Sequence, residues 1–253
     1  MSTTAVQLVI GATGGVGRAT ARRLADRGDT VVLAGRDPSA TAALADELGG
    51  ASAGVHARSV DARDLAAVGV LVEEAVAEHG RIDGAVNLAG SLLLKPAHLT
   101  TGEEWADTIA TNLTSAFALV RAAAPAMRRG GGSIVLVSSA AAQTGIANHE
   151  AIAAAKAGVI GLARSAAATY GARGVRVNVV APGLVASAMT QKLVTNPAQA
   201  EASRAMHVLG RLGEPDDVAA AVSWLLDPGN DWVTGQVLGV DGGLGQVRTR
   251  PKG

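Results

Sequence analysis

The sequence predicts an α/β protein: a doubly wound domain whose seven-stranded parallel sheet carries helices on both faces. Short β-branched runs alternate with longer Ala-, Leu-, Arg- and Glu-containing segments of helical period, which is typical of βαβ units. A glycine-rich turn joins the first of these runs to the first helical segment. No linker-like Pro/Gly/Ser block divides the 253 residues, so we expect one domain over 1–253.

The predicted strands are short and almost continuously apolar, as expected of strands buried on both faces. They cover residues 6–10, 30–34, 54–59, 84–88, 133–137, 175–180 and 237–240. The predicted helices between them cover 16–27, 40–48, 64–79, 103–129, 151–170 and 215–226. Residues 184–210 have mixed polarity and contain Pro197, so we expect a substrate lid or a local excursion there. We expect the tail 245–253 to be solvated, without a function.

Composition excludes several classes of function. The 22 basic and 22 acidic residues balance, which argues against nucleic-acid and anionic-membrane partners. The absence of cysteine excludes disulfides, thiol catalysis and Cys-ligated metal centres. Residues 1–7 lack the features of a secretory signal, and charged residues or glycines interrupt every apolar run before the roughly 20 residues of a membrane helix. We therefore expect a soluble, cytoplasmic protein.

The glycine-rich turn spans Gly11-Ala12-Thr13-Gly14-Gly15-Val16-Gly17. Such a turn lets the backbone approach a pyrophosphate and aims the first N–H groups of the following helix at it. Its spacing differs from the commoner Gly-x-Gly-x-x-Gly pattern. The turn predicts a dinucleotide-binding site, and the alternative is a tight strand-to-helix connection with no ligand.

The end of the second strand distinguishes the two nicotinamide dinucleotides. An acidic residue at this place would bind the ribose hydroxyls of NAD, but here the sequence is Gly35-Arg36-Asp37. The guanidinium of Arg36 suits a 2′-phosphate, which favours NADP(H). In the competing interpretation Arg36 is merely solvated and Asp37 caps the next helix.

Further motifs follow in a familiar order: Asp61, Asn87-Leu88-Ala89-Gly90, Asn112, Ser138-Ser139, Lys156, Asn178, Pro182-Gly183, and the closing stretches 210–215 and 240–243. With the glycine turn, they make the chain resemble the classical short-chain dehydrogenases/reductases from residue 6 to about residue 243.

This resemblance implies a Rossmann-type fold and hydride transfer between NADP(H) and a small carbonyl or alcohol. It also implies a homo-oligomer, either a tetramer or a dimer. The implied cofactor-binding residues are Gly11, Thr13, Gly15, Val16, Gly17, Arg36, Asp61, Asn87, Ala89, Gly90, Lys156, Pro182 and Gly183. The implied catalytic positions that match are Asn112, Ser139 and Lys156.

One catalytic position departs from the family pattern. The family's tyrosine lies four residues before the lysine and thirteen after the serine, and both counts lead to Ile152. The single tyrosine, Tyr170, follows Lys156 by fourteen residues and falls near the end of the same predicted helix. The resemblance therefore implies a site without its usual proton donor.

A histidine near the start of that helix offers a replacement. If the helix begins by residue 149, then His149, Ile152 and Lys156 share one face. An imidazole, with an ordinary pKa of about 6.5, is a better acid near neutrality than a phenol of about 10. The alternative is ordinary capping chemistry with Asn148 as the N-cap. The other four histidines show no ligand spacing, so we expect no metal site.

The sequence leaves three functions open. The favoured one is an atypical NADP(H)-dependent oxidoreductase with a non-tyrosine proton donor. The second is a dinucleotide-binding sensor or partner subunit without redox catalysis, and the third is redox-neutral chemistry with a structural cofactor. We expect the lid and an apolar set to line the substrate pocket: Leu92, Leu93, Leu94 and Ile146.

Overall fold

Seven parallel strands form one sheet in the computed structural model, which describes residues 4–127 and 130–248. The strands are β1 (Val6–Ile10), β2 (Thr30–Gly35), β3 (Val55–Ser59), β4 (Gly84–Asn87), β5 (Gly132–Val137), β6 (Val175–Pro182) and β7 (Val237–Val240). Their order is β3-β2-β1-β4-β5-β6-β7, and every neighbouring pair is parallel. The predicted fold class is confirmed.

Helices cover both faces of this sheet. They are α1 (Gly15–Asp26), α2 (Pro38–Glu47), α3 (Leu65–His79), α4 (Gly102–Ile109), α5 (Ser115–Ala126), α6 (Glu150–Tyr170), α7 (Gln191–Val194), α8 (Pro197–Met206) and α9 (Pro215–Leu226). One buried core lies under α3, α5 and α6, and a second lies under α1, α2 and α9. The strand order reverses between β1 and β4, because β2 and β3 lie on one side of β1 and β4 to β7 lie on the other, and this leaves a crevice at the carboxyl ends of the strands.

The helix predicted over 103–129 is not continuous. A π-helical turn, Ala110–Thr114, separates α4 from α5. Within it, the Asn112 amide nitrogen donates to the Thr108 carbonyl oxygen at 3.0 Å. The apolar residues on each side of this turn keep the helical period, so the sequence pattern predicts one helix and does not disclose the turn. The last two residues of the predicted helix, 128 and 129, lie outside the described residues.

Two helices in the predicted lid were missed. Mixed polarity hid the periodicity of α7 and α8. The side chain of Asn196 accepts hydrogen bonds from the N–H groups of Ala198 and Gln199, and Pro197 occupies the first turn of α8. An Asn-Pro pair of this kind is a helix-start signal that could have revealed α8 from the sequence.

The α6 helix contains an apolar stretch of membrane-spanning length, which the sequence analysis did not predict. With the turn after it, Glu150–Arg173 is long and apolar enough by length and composition to cross a membrane, with a mean hydropathy of 1.3. Lys156 and Arg164 interrupt this stretch, as expected, but two charges are too few to bring its mean hydropathy below that of a membrane helix. Core helices of soluble proteins pass the same test. Val159 and Ala163 of α6 are buried in the core on the sheet, which accounts for part of this apolarity.

Candidate active site

A cavity of about 970 Å³ opens at the carboxyl ends of the strands. Its walls are the glycine turn after β1, the segments that follow β4, β5 and β6, the start of α6, and the lid. Because the strand order reverses between β1 and β4, this is the place where open α/β sheets bind ligands. The cavity therefore brings residues from distant parts of the chain to one site.

The glycine turn presents unpartnered donors to the cavity. The α1 helix has no side-chain cap and no acidic residue in its first turn. Its first N–H groups, which have no acceptors within the helix, belong to the cavity-lining residues Gly15, Val16 and Gly17. A Cβ atom at Gly17 would lie 2.2 Å from the Gly11 carbonyl oxygen, so only glycine permits this close packing. The arrangement fits a pyrophosphate.

The predicted residues for the adenosine half lie beyond the cavity lining. Arg36 is exposed and has no hydrogen bond within residues 4–127 and 130–248. Asp37 accepts from the N–H of Ala40 at 3.0 Å and caps α2, so the two interpretations of this dipeptide are compatible. The guanidinium of Arg63 hydrogen-bonds Asp61 and lowers the pKa of that carboxyl group. Thr13 also lies outside the lining.

Asn87 holds a turn of the cavity wall in place without lining the cavity itself. Its buried amide nitrogen donates to the Ser115 hydroxyl at 2.9 Å, and its amide oxygen accepts from the N–H of Ala89 at 3.0 Å. The turn that these bonds hold places Ala89 and Gly90 in the lining, whereas Asn87 itself is not part of it. Asn87 is thus a positioning residue in this structure.

Asn112 lies in the π-helical turn and reaches the cavity. Its amide oxygen accepts from the N–H of Ser91 at 3.2 Å, and its amide nitrogen donates to the Ser91 hydroxyl at 3.0 Å. A Cβ atom at Gly90 would lie 3.2 Å from the Asn112 oxygen and 3.8 Å from Lys156 Nζ. Gly90 therefore sits within close reach of both polar side chains.

Lys156 is buried at the floor of the cavity. Its Nζ donates to the Val137 carbonyl oxygen at 2.9 Å, and burial lowers the pKa of its amino group from 10.5 to about 8. The Ser138 hydroxyl fixes the backbone at this point by donating to the Lys156 carbonyl oxygen at 2.8 Å. The Ser139 oxygen accepts from the N–H of Ala141 at 3.2 Å, and its hydroxyl proton has no acceptor among the described residues, so it is available to a ligand.

Ile152 occupies the first turns of α6 and lines the cavity one turn before Lys156. Its side chain is almost fully buried and carries no polar atom. Tyr170 ends the same helix eighteen residues later, about 27 Å along the axis. It packs against the core beneath the sheet, away from the cavity lining. The phenol of Tyr170 is thus out of reach of the site.

His149 also lines the cavity, at the residue before α6. Its Nδ1 lies 2.7 Å from the Ala147 carbonyl oxygen, and because a carbonyl can only accept, Nδ1 carries a proton. Nε2 has no hydrogen-bond partner in the described part of the chain. The tautomer therefore leaves Nε2 as the nitrogen that can exchange a proton with a ligand.

The capping role considered for Asn148 is wrong. Asn148 has a φ of 63°, in the left-handed region, and its carbonyl oxygen accepts from the N–H of Lys95 at 2.8 Å. The helix begins at Glu150, so Asn148 lies one residue too early to be its N-cap. The N-cap position falls on His149, and no side chain caps the helix.

The apolar part of the cavity comes from two sources. Leu92, Leu94 and Ile146 line it as expected, but Leu93 does not. The lid adds further apolar side chains: Leu184, Val185, Met189, Leu193 and Met206. Both Pro182 and Gly183 also lie in the lining.

His207 is a site residue that the sequence reading missed. It is buried, its Nε2 accepts from the N–H of Leu184 at 3.1 Å, and its Nδ1 donates to the Ser203 carbonyl oxygen at 2.6 Å. A Cβ atom at Gly183 would lie 2.5 Å from Nε2, so the strand end needs glycine there. The ring thus links the start of the lid, at Leu184, to its end, at Ser203 and His207. No spacing in the sequence signals such a contact.

Comparison with known proteins agrees with this geometry. A family model described as enoyl-(acyl carrier protein) reductase matches residues 11–245. D-threitol dehydrogenase of Mycolicibacterium smegmatis is 35% identical, over 94% of this chain and 92% of that protein. 3-Oxoacyl-[acyl-carrier-protein] reductase FabG of Vibrio cholerae is 38% identical, over 94% of this chain and 96% of its own.

The chain belongs to the short-chain dehydrogenase/reductase family. It is also similar to a solved short-chain type dehydrogenase/reductase from Mycobacterium ulcerans, with a TM-score of 0.92, 31% identity, and coverage of 98% of this chain and 92% of that one. A variant of actinorhodin polyketide ketoreductase, solved with NADPH, gives a TM-score of 0.89, 31% identity, and coverage of 98% and 100%. Short-chain dehydrogenases/reductases are oxidoreductases, so the cavity is the candidate active site of such an enzyme.

Proposed function

We propose that this chain is an NADP(H)-dependent oxidoreductase of a small carbonyl or alcohol substrate, in which His149 replaces the family's tyrosine as the proton donor. The observation that carries the proposal is one cavity lined by an uncapped glycine turn and by Ser139, Lys156 and His149. The near-identical fold of a ketoreductase solved with NADPH supports the choice of cofactor.

The chain offers the cofactor donors for both of its charged groups. The N–H groups of Gly15 and Val16 would hold the pyrophosphate, and the exposed Arg36 guanidinium would hold the 2′-phosphate. Lys156 donates one N–H to the Val137 carbonyl oxygen, and its other two N–H groups would be available to the ribose hydroxyls. When bound, the cofactor supplies the hydride that reaches the substrate carbon.

Two side chains act on the substrate oxygen. The Ser139 hydroxyl, whose oxygen already accepts from Ala141, donates its proton as a hydrogen bond and polarises the carbonyl. The imidazolium of His149 then gives the Nε2 proton to that oxygen as the carbon is reduced, which completes the alcohol. The Ala147 carbonyl holds the remaining Nδ1 proton, so the neutral ring keeps its tautomer.

A second function is favoured by Ile152. This side chain fills the place of the family's proton donor with hydrocarbon, and a protein that has given up redox catalysis needs no acid there. Such a chain would bind the dinucleotide and act as a sensor or as a partner subunit. Cofactor binding alone does not separate the two functions, but turnover does.

The experiment measures NADPH and NADH binding by fluorescence, and then NADPH oxidation at 340 nm over a panel of aldehydes and ketones. We expect tighter binding of NADPH, a preference lost in Arg36→Ser, and measurable turnover. His149→Gln should lower turnover by about 10² or more, since the amide has no acidic proton near neutrality. His98→Gln, an exposed histidine outside the cavity lining, should leave turnover unchanged.

Ile152→Tyr separates the alternatives. If the wild-type chain binds NADPH but turns nothing over, and Ile152→Tyr creates activity, the sensor or partner function is correct. If the wild-type chain is active and His149→Gln has the same turnover, another group donates the proton. Tight NADH binding with no NADPH binding would contradict the cofactor proposal.

A further inference from the structure

A second cluster of chemically active side chains lies at the opposite end of the sheet from the cavity. His56 is the second residue of the edge strand β3, and Glu78 and His79 end α3. His56 precedes Glu78 by 22 residues and His79 by 23, and this separation is not a ligand spacing, so the sequence predicts no metal site among them. The fold brings their ligand atoms within 4.8 Å of one another.

We propose that His56, Glu78 and His79 bind a divalent transition-metal ion of the zinc class, with water in a fourth position. Two imidazole nitrogens and one carboxylate oxygen are a donor set that zinc prefers in proteins. The site lies far from the cavity, so the ion stabilises the β3–α3 edge and takes no part in the reaction.

Two of the three distances between ligand atoms are close to those around a tetrahedral ion. Around zinc, neighbouring N and O ligand atoms lie about 3.4 Å apart. His56 Nδ1 lies 3.3 Å from Glu78 Oε1, and His79 Nε2 lies 3.8 Å from the same oxygen. The two rings are tilted by 59° with their centroids 4.6 Å apart. Small side-chain rotations would bring all three atoms onto one ion.

His79 supplies an independent observation. Its Nε2 is buried and has no hydrogen-bond partner in the described ranges, a costly state for a polar atom unless something else binds it. The carboxyl end of α3 also favours a positive charge.

The charged neighbours leave room for the ion. Arg58 is the nearest cation, but it hydrogen-bonds the other carboxylate oxygen of Glu78, Oε2. It also approaches Glu74 at 4.0 Å, which spreads its charge over two carboxylates. Oε1 of Glu78 therefore still faces the two rings. The exposed side of Glu78 gives an ion a path from solvent.

Calorimetric titration of the chelator-stripped full-length chain with Zn²⁺ tests the proposal. We expect one Zn²⁺ per chain, with an affinity that falls at least tenfold in His56→Gln and in His79→Gln. His98→Gln, an exposed histidine elsewhere, is the matched control and should bind as the wild type does. Mg²⁺, which prefers oxygen ligands, should give no comparable binding.

A second measurement needs no variant and so does not depend on how well a variant folds. Co²⁺ bound to the wild-type chain should give the visible absorption of a tetrahedral site, and Zn²⁺ should displace it. Absence of saturable Zn²⁺ binding would overturn the proposal. So would Zn²⁺ binding that survives unchanged in folded His56→Gln and His79→Gln, or a Co²⁺ spectrum of an octahedral, oxygen-ligated ion.

Discussion

Lys156 is the residue whose ionisation the fold changes most clearly. Its amino group is buried against the Val137 carbonyl with no carboxylate partner among the described residues, and burial lowers its pKa to about 8. Between pH 8 and 10.5 the unfolded chain keeps this proton and the native chain releases it. The free energy of unfolding therefore rises with pH through that window. Below about pH 8 both states keep the proton, so this gain in stability is absent.

Replacing the lysine should remove this pH dependence. In urea unfolding, the wild-type free energy of unfolding should gain up to about 3 kcal/mol from pH 8 to 10.5 relative to Lys156→Met, since each unit of pKa shift is worth about 1.4 kcal/mol. Lys192→Met, which removes an exposed lysine, should follow the wild-type curve. Parallel curves for wild type and Lys156→Met would show that the buried amine is not perturbed.

At this scale the sequence predicted side chains better than it predicted their contacts. Ser139, Lys156 and Asn112 were placed by family resemblance, and all three line the cavity. The contacts of Asn87 and His207 could not be predicted from the sequence. Each side chain hydrogen-bonds a residue that is distant along the chain, and neither bond has a sequence signature. The left-handed conformation of Asn148 was likewise set by a contact with Lys95.

The glycine turn and α1 form the element on which cofactor binding depends. A Cβ atom at Gly17 would lie 2.2 Å from the Gly11 carbonyl oxygen and 2.6 Å from that of Ala12, so Gly17→Ala must displace the turn. We expect a loss of about 2 kcal/mol in stability and at least tenfold in NADPH affinity. Urea unfolding and fluorescence titration measure the two effects.

A glycine in α3 provides the control for this substitution. Nothing lies within 4 Å of a Cβ atom at Gly69, and its φ is not in the left-handed region. Gly69→Ala should stabilise the protein by about 1 kcal/mol, since alanine is the better helix former, and should leave NADPH affinity unchanged. Equal responses of the two variants would mean that the turn is not tightly packed.

Element boundaries followed from the sequence wherever hydrophobic period and turn chemistry agreed. The strands β1 and β7 and the helix α9 begin and end where the pattern predicts. The π-helical turn at Ala110–Thr114 and the lid helix α8 were missed for different reasons. The first leaves the apolar period intact, and the second is a mostly exposed helix whose polar residues give no clear stripe.

At the scale of the whole molecule, the parallel sheet determines where chemistry can occur. The carboxyl ends of all strands lie at the same edge of the sheet, so the glycine turn, Ser139 and Pro182 meet there although Gly11 and Pro182 are 171 residues apart. The α3 helix runs back toward the amino ends of the strands. Its end therefore lies near the start of β3, which places His79 close to His56. The predicted homo-oligomer and cytoplasmic location stay predictions.

In the proposed reaction, a site without its family's tyrosine still transfers a hydride. Incubation with 4-deuterated NADPH and a reducible carbonyl, followed by mass spectrometry of the alcohol, traces this hydride from cofactor to product. We predict deuterium on the product carbon for the wild-type chain and at least a hundredfold slower incorporation for His149→Gln. Tight NADPH binding without any deuterium in product, over the same panel of carbonyls, would contradict the claim and favour the sensor or partner function.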